Sequence, residues 1–274
     1  MTEPLLPLLV EPEELVRHLG DSRLLIVDLS QRETFLQMHV PGAVNLPYAR
    51  IIQKDPPAMG MLPDEETLSA VLSGIGLTPE NHVVAYDDEG NGRASRLLWT
   101  LDALGHEGLS LLNGGLHSWA EEDHPLEAGD VEPTPSKYQA KIRNDEVLAD
   151  RDYVLQHLGD EGVAILDARS PAEYRGEDVR AQRGGHIPGA VNLEWLQTMD
   201  RGRNLRFLPD DKLQAMLADL GITPDKEVIT HCQTHHRSAH TYIMLKHLGF
   251  ERVRGYAGSW SEWGNDEDLP VETD

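Results

Sequence analysis

The sequence contains an internal repeat, which constrains the fold more than any other feature of the chain. The stretches 24–46 and 163–193 both begin with an apolar run that ends in aspartate, and both finish with His-x-Pro-Gly-Ala-Val-Asn-Leu. The repeat recurs after about 145 residues, which is the size of an ordinary domain and far longer than one unit of a solenoid. The chain of 274 residues is therefore predicted to be a duplicated domain.

Each copy alternates strands with helices. The apolar runs 24–27 and 163–166 are short and rich in branched residues, which favours buried strands, and 82–86 and 227–231 predict a second strand in each copy. A helix is predicted after each Leu-Pro-Asp, with Asp64 and Asp210 as its N-caps. Alternating strands and helices indicate an α/β fold in which each domain is a parallel sheet flanked by helices.

The segment between the two copies predicts a linker. It contains Pro133, Pro135 and Ser136 and shows little hydrophobic periodicity. We therefore expect an N-terminal domain over residues 1–127, a linker over 128–142 and a C-terminal domain over 143–274.

The only cysteine follows a buried strand of the second copy. Cys232 opens the segment Cys-Gln-Thr-His-His-Arg-Ser, and a helix is predicted to begin near Ser238. Open α/β sheets bind ligands at the carboxyl ends of strands, and the N–H groups of such a short loop form a nest for an anion. The helix N-terminus and the charge of Arg237 both favour the thiolate, so we predict a nucleophilic Cys232 with a lowered pKa.

The first copy provides an internal comparison, because its equivalent loop lacks the cysteine. Asp87 stands at the place of Cys232, in a loop that is one residue longer and also carries Asp88 and Glu89. A carboxylate cannot act as a thiol nucleophile, and three acids repel an anion. The first copy is therefore predicted to be catalytically inactive.

Charge and cysteine content narrow the classes of partner. The net charge of −23 repels phosphate backbones, so we expect no nucleic-acid partner. A single cysteine cannot form an internal disulfide, which is typical of a reducing compartment. The first residues lack a basic region, and Pro4 and Pro7 interrupt their apolar run, which indicates neither a signal peptide nor a membrane span. A cytoplasmic protein is expected.

Taken together, these motifs resemble the rhodanese superfamily of sulfurtransferases over nearly the whole chain. They are the Asp-Ala-Arg at 167–169, the His-Ile-Pro-Gly-Ala at 186–190, the Cys-x4-Arg loop that ends at Arg237, and the segment 255–260 before the last helix. The loop is similar to that of bacterial tandem-domain thiosulfate sulfurtransferases. The resemblance implies two tandem rhodanese-like domains, an inactive first and an active second.

The resemblance also implies a ping-pong cycle through a persulfide on Cys232. The thiolate would attack the outer sulfur of thiosulfate, sulfite would leave, and cyanide, another thiophilic acceptor or a sulfur-acceptor protein would remove the sulfur. Arg237 would bind the anionic substrate. The other substrate-binding candidates are Gln233, Thr234, His235 and His236. No cofactor or metal is implied.

Two departures from the family bear on the sulfur donor. Mammalian-type rhodaneses carry Arg and Lys within the loop, and 3-mercaptopyruvate sulfurtransferases carry a Gly-Ser/Thr-Gly pattern, but this loop has neither. Those relatives also tend to place an arginine where this chain has Glu173. 3-Mercaptopyruvate is therefore the alternative donor, and thiosulfate is favoured.

Three other functions remain as alternatives. A cysteine-based phosphatase or arsenate reductase has a similar signature, but with five residues between Cys and Arg where this chain has four. A non-catalytic sulfur-carrier or binding module would suit the acidic surface, although the second copy keeps its cysteine. A metal site is suggested by a dense group of ligand-type residues, namely His231, Cys232, His235, His236 and His240.

The tryptophans and one tyrosine give further expectations. Trp119 and Trp263 end matching helical patterns and are predicted to lie in the two cores. Trp195, Tyr256 and Trp260 lack a clear counterpart in the first copy, so they are candidates for the rim of the active site.

Overall fold

The computed structural model describes residues 4–273. In chain order the strands are β1 (Leu9–Val10), β2 (Leu24–Asp28), β3 (Val44–Asn45), β4 (Gln53–Asp55), β5 (Ala58–Met61), β6 (His82–Tyr86), β7 (Leu109–Leu112), β8 (Leu148–Ala149), β9 (Val163–Asp167), β10 (Val191–Asn192), β11 (Met199–Asp200), β12 (Arg206–Phe207), β13 (Glu227–His231) and β14 (Val253–Tyr256). The α-helices are α1 (Pro12–Val16), α2 (Arg32–Gln37), α3 (Glu65–Gly74), α4 (Gly92–Ala103), α5 (Gly115–Glu121), α6 (Arg151–Gln156), α7 (Pro171–Tyr174), α8 (Asp210–Asp219), α9 (Arg237–His247) and α10 (Ser259–Trp263). Short 3-10 helices cover Tyr48–Ile51, Asp145–Val147, Trp195–Thr198 and Arg201–Arg203.

Two five-stranded sheets form the framework, and they have the same topology. The first has the order β1-β7-β6-β2-β3 and the second β8-β14-β13-β9-β10, with every neighbouring pair parallel. All five residues of β6 and of β13 are buried, as expected for central strands whose sheet is covered by helices on both faces. The predicted α/β class, with a parallel sheet flanked by helices in each copy, is confirmed.

The chain divides into two compact units that interleave in sequence. Unit 1 contains the chain up to Ile51 together with Pro63–Asn144 and Asp200–Phe207, and unit 2 contains Ile52–Leu62, Asp145–Met199 and the chain from Leu208 onward. The hairpin of β4 and β5 thus belongs to unit 2, although its sequence lies within the first copy. The domain boundaries predicted around the linker remain a prediction.

Residues 128–142 contain neither helix nor strand, and they are held to unit 1 along α3. The Ser136 N–H donates to the Ser73 carbonyl at 2.9 Å, and the Ala140 N–H donates to the Ser69 hydroxyl at 2.9 Å. Hydrogen bonds to one helix therefore satisfy part of the backbone of a segment that has no secondary structure of its own.

The two predicted N-caps have different outcomes. Asp64 caps α3, since its carboxylate accepts the Thr67 N–H at 2.7 Å, and that prediction is confirmed. The prediction for Asp210 is wrong, because Pro209 takes the N-cap position and Asp210 is the first residue of α8. The extended backbone of Pro209 starts the helix one residue earlier, so Asp210 acts on the helix dipole and does not accept a capping bond.

Each sheet has its own apolar core. Trp119 and Trp263 are fully buried in the cores of units 1 and 2, as predicted. Tyr256 and Trp260 also lie in the second core, so their placement at a rim is wrong. The polar atom of each finds an internal partner, because the Tyr256 hydroxyl donates to Glu262 at 2.8 Å and the Trp260 indole donates to the Arg183 carbonyl at 3.2 Å. None of the helices between residues 4 and 273 has the length and apolar character needed to cross a bilayer.

Candidate active site

Cys232 lies where the central strand of the second sheet ends. It follows β13, whose last residue, His231, pairs with Asp167 at the end of β9. The helix α9 begins at Arg237, next to the predicted start at Ser238. The loop is therefore four residues long, and the thiol at its head is completely buried.

The sulfur of Cys232 is surrounded by hydrogen-bond donors. The Ser238 hydroxyl, the Ser238 N–H and the Thr234 N–H all donate to it, and Arg237 acts on it through its charge. Burial alone would raise the pKa of Cys232, but Arg237 and these donors outweigh burial and lower the pKa below that of an ordinary cysteine. The predicted stabilisation of the thiolate is thus supported by three specific donors and one cation.

Ser259 holds the loop through its hydroxyl group. Its hydroxyl accepts the Cys232 N–H at 3.3 Å and the His235 N–H at 3.1 Å, and donates to the Tyr256 carbonyl at 2.7 Å. Its φ of 52° lies in the left-handed region, which is costly for a residue with a Cβ. The aligned position of unit 1 is Gly115, with a φ of 57°. Serine therefore keeps an unfavourable conformation where its hydroxyl can hold two loop amides.

The first turn of α10 completes the support of the loop. The Trp260 N–H donates to the Cys232 carbonyl at 2.9 Å, and the Ser261 N–H donates to the Gln233 carbonyl at 3.0 Å. From the sequence, this segment is a family motif for which no contact with the loop is predicted. The signal that could have revealed Ser259 is the repeat itself, because a serine replaces the glycine of the first copy at this point.

The other predicted loop residues point in different directions. The Gln233 amide donates to the Arg180 carbonyl at 3.1 Å, and the buried His235 ring contacts the Ser238 hydroxyl at 2.8 Å through Nδ1. The His236 ring packs near Trp195, with ring centroids 5.8 Å apart. Between Cys232 and Arg237, the backbone N–H of Thr234 donates to the sulfur.

Arg237 forms a bidentate ion pair with Glu173. Its two terminal nitrogens donate to the two carboxylate oxygens at 2.6 and 2.8 Å, and Glu173 is 1% exposed. Glu173 also forms a capping box with Ser170 at the start of α7. Burial opposes the charge on Glu173, but the hydrogen bond and charge of Arg237 lower the pKa of Glu173 to about 2. Asp167, which ends β9, pairs instead with Arg169.

Two buried histidines beside the loop, His231 and His240, have lowered pKa values and stay neutral. Burial lowers the pKa of His231 to about 4, even though Asp167 lies 3.7 Å away, and burial lowers the pKa of His240 to about 3. Within residues 4–273, the group of ligand-type side chains that converges closely enough for a metal is Glu13, Glu122 and His124, which belong to unit 1. Glu122 there binds Arg206, so the group is part of an ion-pair network.

The equivalent loop of unit 1 shows what such a nest accommodates. The Asp87 carboxylate accepts four backbone N–H groups at 2.7–3.0 Å, from Glu89, Asn91, Arg93 and Ala94. Ala94 aligns with Ser238, whose N–H donates to the Cys232 sulfur in unit 2. Both copies therefore direct an amide at the same point, and unit 1 fills its nest with its own carboxylate. The N–H groups that could bind an external anion in this loop are therefore already paired with Asp87.

The lowered pKa predicts the pH dependence of Cys232. A depressed pKa means that the thiolate persists to lower pH, so the ultraviolet absorbance of the thiolate should reach its midpoint below the value of about 8.5 that free cysteine shows. Because the chain has one cysteine, the difference in absorbance between the native protein and Cys232→Ser isolates this group. A midpoint at or above the value of free cysteine would mean that Arg237, Ser238 and Thr234 do not stabilise the thiolate.

Comparison with known proteins defines the class to which the chain belongs. The sequence profile of the rhodanese-like domain matches residues 11–122 and 150–266, so this chain belongs to the rhodanese family and carries the domain twice. It is 48% identical to a thiosulfate sulfurtransferase of Azotobacter vinelandii, over 97% of each chain. It is 33% identical to the sulfur carrier protein TtuD of Thermus thermophilus, over 96% of this chain and 95% of that protein. The Tum1 protein of Saccharomyces cerevisiae has the same fold, with a TM-score of 0.86 at 23% identity, over 98% of this chain and 99% of that one.

Proposed function

We propose that this protein is a thiosulfate sulfurtransferase, which moves sulfane sulfur from thiosulfate to a thiophilic acceptor through a persulfide on Cys232. The observation that carries the proposal is a single buried thiol at the end of β13 with three donors and a cation around its sulfur. The activity named for the Azotobacter relative supports the same conclusion.

The proposed chemistry needs only groups that this loop holds. The Cys232 thiolate attacks the outer sulfur of thiosulfate, the S–S bond of the donor breaks, and sulfite leaves with the bonding electron pair. Arg237 binds the anionic donor and offsets the charge on the departing sulfite. The acceptor then attacks the outer sulfur of the persulfide, and Cys232 is released as thiolate.

The loop residues divide into two proposed roles. The Thr234 amide and Ser238 stabilise the thiolate and the persulfide directly, as preformed donors. Gln233, His235 and His236 support the shape of the loop, since Gln233 is anchored on Arg180 and His235 contacts the Ser238 hydroxyl. We also propose that the first domain, 1–127, is inactive and that catalysis lies in 143–274.

The pairing of Glu173 with Arg237 favours a sulfur donor that has no carboxylate group. It occupies both terminal nitrogens of Arg237 in the paired geometry by which arginine recognises carboxylates. A substrate carboxylate such as that of 3-mercaptopyruvate would have to compete with Glu173 for these two nitrogens. Thiosulfate has no carboxylate that needs this bidentate geometry, so the charge of Arg237 and the loop amides can bind it while Glu173 stays paired.

The acceptor is external, because the chain has no second thiol to form an internal disulfide. Cyanide serves as the test acceptor, and a sulfur-acceptor protein is the proposed biological one, in keeping with the name of the Thermus relative. A cytoplasmic setting would keep Cys232 reduced between turnovers.

A paired assay tests this function. Thiosulfate with cyanide should give steady thiocyanate formation, while p-nitrophenyl phosphate should give no turnover above the Cys232→Ser background. A ring of four residues between Cys232 and Arg237 suits one sulfur atom better than a tetrahedral phosphate. Rapid phosphate release without thiocyanate would assign the protein to the cysteine phosphatases instead.

A further inference from the structure

The hairpin of β4 and β5 lies against the loop that holds Cys232. The backbone of Gly60 is so close to Thr234 that an added Cβ would lie 2.2 Å from the Thr234 carbonyl oxygen, 2.7 Å from its carbonyl carbon and 2.9 Å from its Cα. All three are backbone atoms, so no side-chain rotation could relieve the overlap. This position accepts only glycine unless the loop or the hairpin moves.

The glycine is required for space and not for its backbone conformation. Gly60 is not among the glycines with a positive φ. It lies on the buried face of β5 together with Ala58, while Met59 and Met61 alternate toward the partly exposed face. The buried side of the hairpin thus carries small residues, which allows the backbone of the hairpin to approach the backbone of the loop closely.

A hydrogen bond through Ser261 holds the hairpin in register with the loop. The Met59 N–H donates to the Ser261 hydroxyl at 3.1 Å, and the Ser261 N–H donates to the Gln233 carbonyl at 3.0 Å. The hairpin and the loop therefore share one anchor, immediately beside the contact of Gly60 with Thr234.

We propose that Gly60 is a positioning residue for the sulfur-transfer site, because the hairpin fixes the Thr234 backbone whose N–H donates to Cys232. The inference rests on the proposed role of Cys232. A segment that belongs by sequence to the inactive copy then takes part in shaping the active loop of unit 2. A methyl group at Gly60 pushes Thr234 away or displaces the hairpin, and in both cases the Thr234 N–H loses its alignment with the sulfur.

Gly60→Ala should lower kcat/KM for thiosulfate by about 10- to 100-fold, the range expected when a catalytic group shifts by roughly 1 Å. The thiolate absorbance should reach its midpoint at higher pH than in the native protein, because one donor to the sulfur is weakened. The other charged and titratable groups near the sulfur, Arg237, Glu173, His231 and Asp167, are unchanged in this variant. Ser261→Ala removes the hydrogen bond from Met59 but keeps Gly60 and the bond from the Ser261 N–H to Gln233. It should shift both quantities in the same direction by a smaller factor.

Gly74→Ala is the matched control. Gly74 is exposed at the end of α3, and an added Cβ there meets nothing within 4 Å. This variant should keep the native kcat/KM and the native thiolate midpoint.

Thermal unfolding shows whether Gly60→Ala displaces the loop or simply destabilises the fold. If Gly60→Ala folds and keeps the native thiolate midpoint and the native kcat/KM, the proposal is wrong. This holds even if its melting temperature is lower than that of the native protein. The absorbance titration needs no sulfur transfer. If the native protein fails to turn over thiosulfate, the proposed function is wrong, yet the effect of Gly60 on Cys232 is still measured.

Discussion

Cys232→Ser should reduce thiocyanate formation from thiosulfate and cyanide by at least about 10⁴-fold, the scale seen when a covalent nucleophile is removed. Serine has nearly the same volume and keeps a polar atom within reach of the Thr234 and Ser238 donors. However, a hydroxyl does not ionise at neutral pH in this site and cannot form a persulfide. Circular dichroism should show an unchanged fold, so the loss would be chemical.

The corresponding residue of unit 1 provides the control for this substitution. Asp87→Asn should leave the turnover of thiosulfate within about twofold of native, since the loop of unit 1 has no thiol and its nest is filled by its own side chain. Turnover by Cys232→Ser above one hundredth of native, or a collapse of activity in folded Asp87→Asn, would contradict the assignment of the active copy.

Arg237→Met should lower kcat/KM for thiosulfate by about 10²- to 10³-fold, as expected when a preorganised group that stabilises charge is removed. It should also cost about 3 kcal/mol of unfolding free energy, because the buried Glu173 carboxylate loses its bidentate partner. Steady-state kinetics and urea denaturation measure the two effects separately.

A double variant distinguishes a role of Arg237 toward substrate from a purely structural one. Arg237→Met/Glu173→Gln removes both charges, so it should recover stability to within about 1 kcal/mol of native. The activity should remain as low as in Arg237→Met, because neither the thiolate nor the anionic donor regains its cation. Recovery of activity together with stability would mean that Arg237 serves only to hold Glu173.

The features of this molecule that depend on local sequence pattern could be predicted from the sequence. The repeat and the alternation of strands and helices predicted two parallel sheets, and the strands predicted over 82–86 and 227–231 have the bounds of β6 and β13. The polar segment after β13 located the loop and the start of α9 to within one residue. These features follow from periodicity and from residues adjacent in the chain, which is why one sequence suffices for them.

The contacts that shape the loop depend instead on residues far apart in sequence. Glu173 is 64 residues from Arg237, and Gly60 reaches Thr234 from the other copy of the repeat. The left-handed backbone of Ser259 is rare for a residue with a Cβ, and its alignment with Gly115 is the one signal of it in the sequence. The misplaced Tyr256 and Trp260 have the same origin, since burial of a polar aromatic is decided by distant partners such as Arg183.

The intact mass of the protein tests the persulfide most directly. After incubation with thiosulfate and removal of excess reagent, the native protein should gain the mass of one sulfur atom, lose it on addition of cyanide, and show no gain in Cys232→Ser. An unchanged mass in a protein that still forms thiocyanate, or an equal gain in Cys232→Ser, would contradict a mechanism that passes sulfur through Cys232.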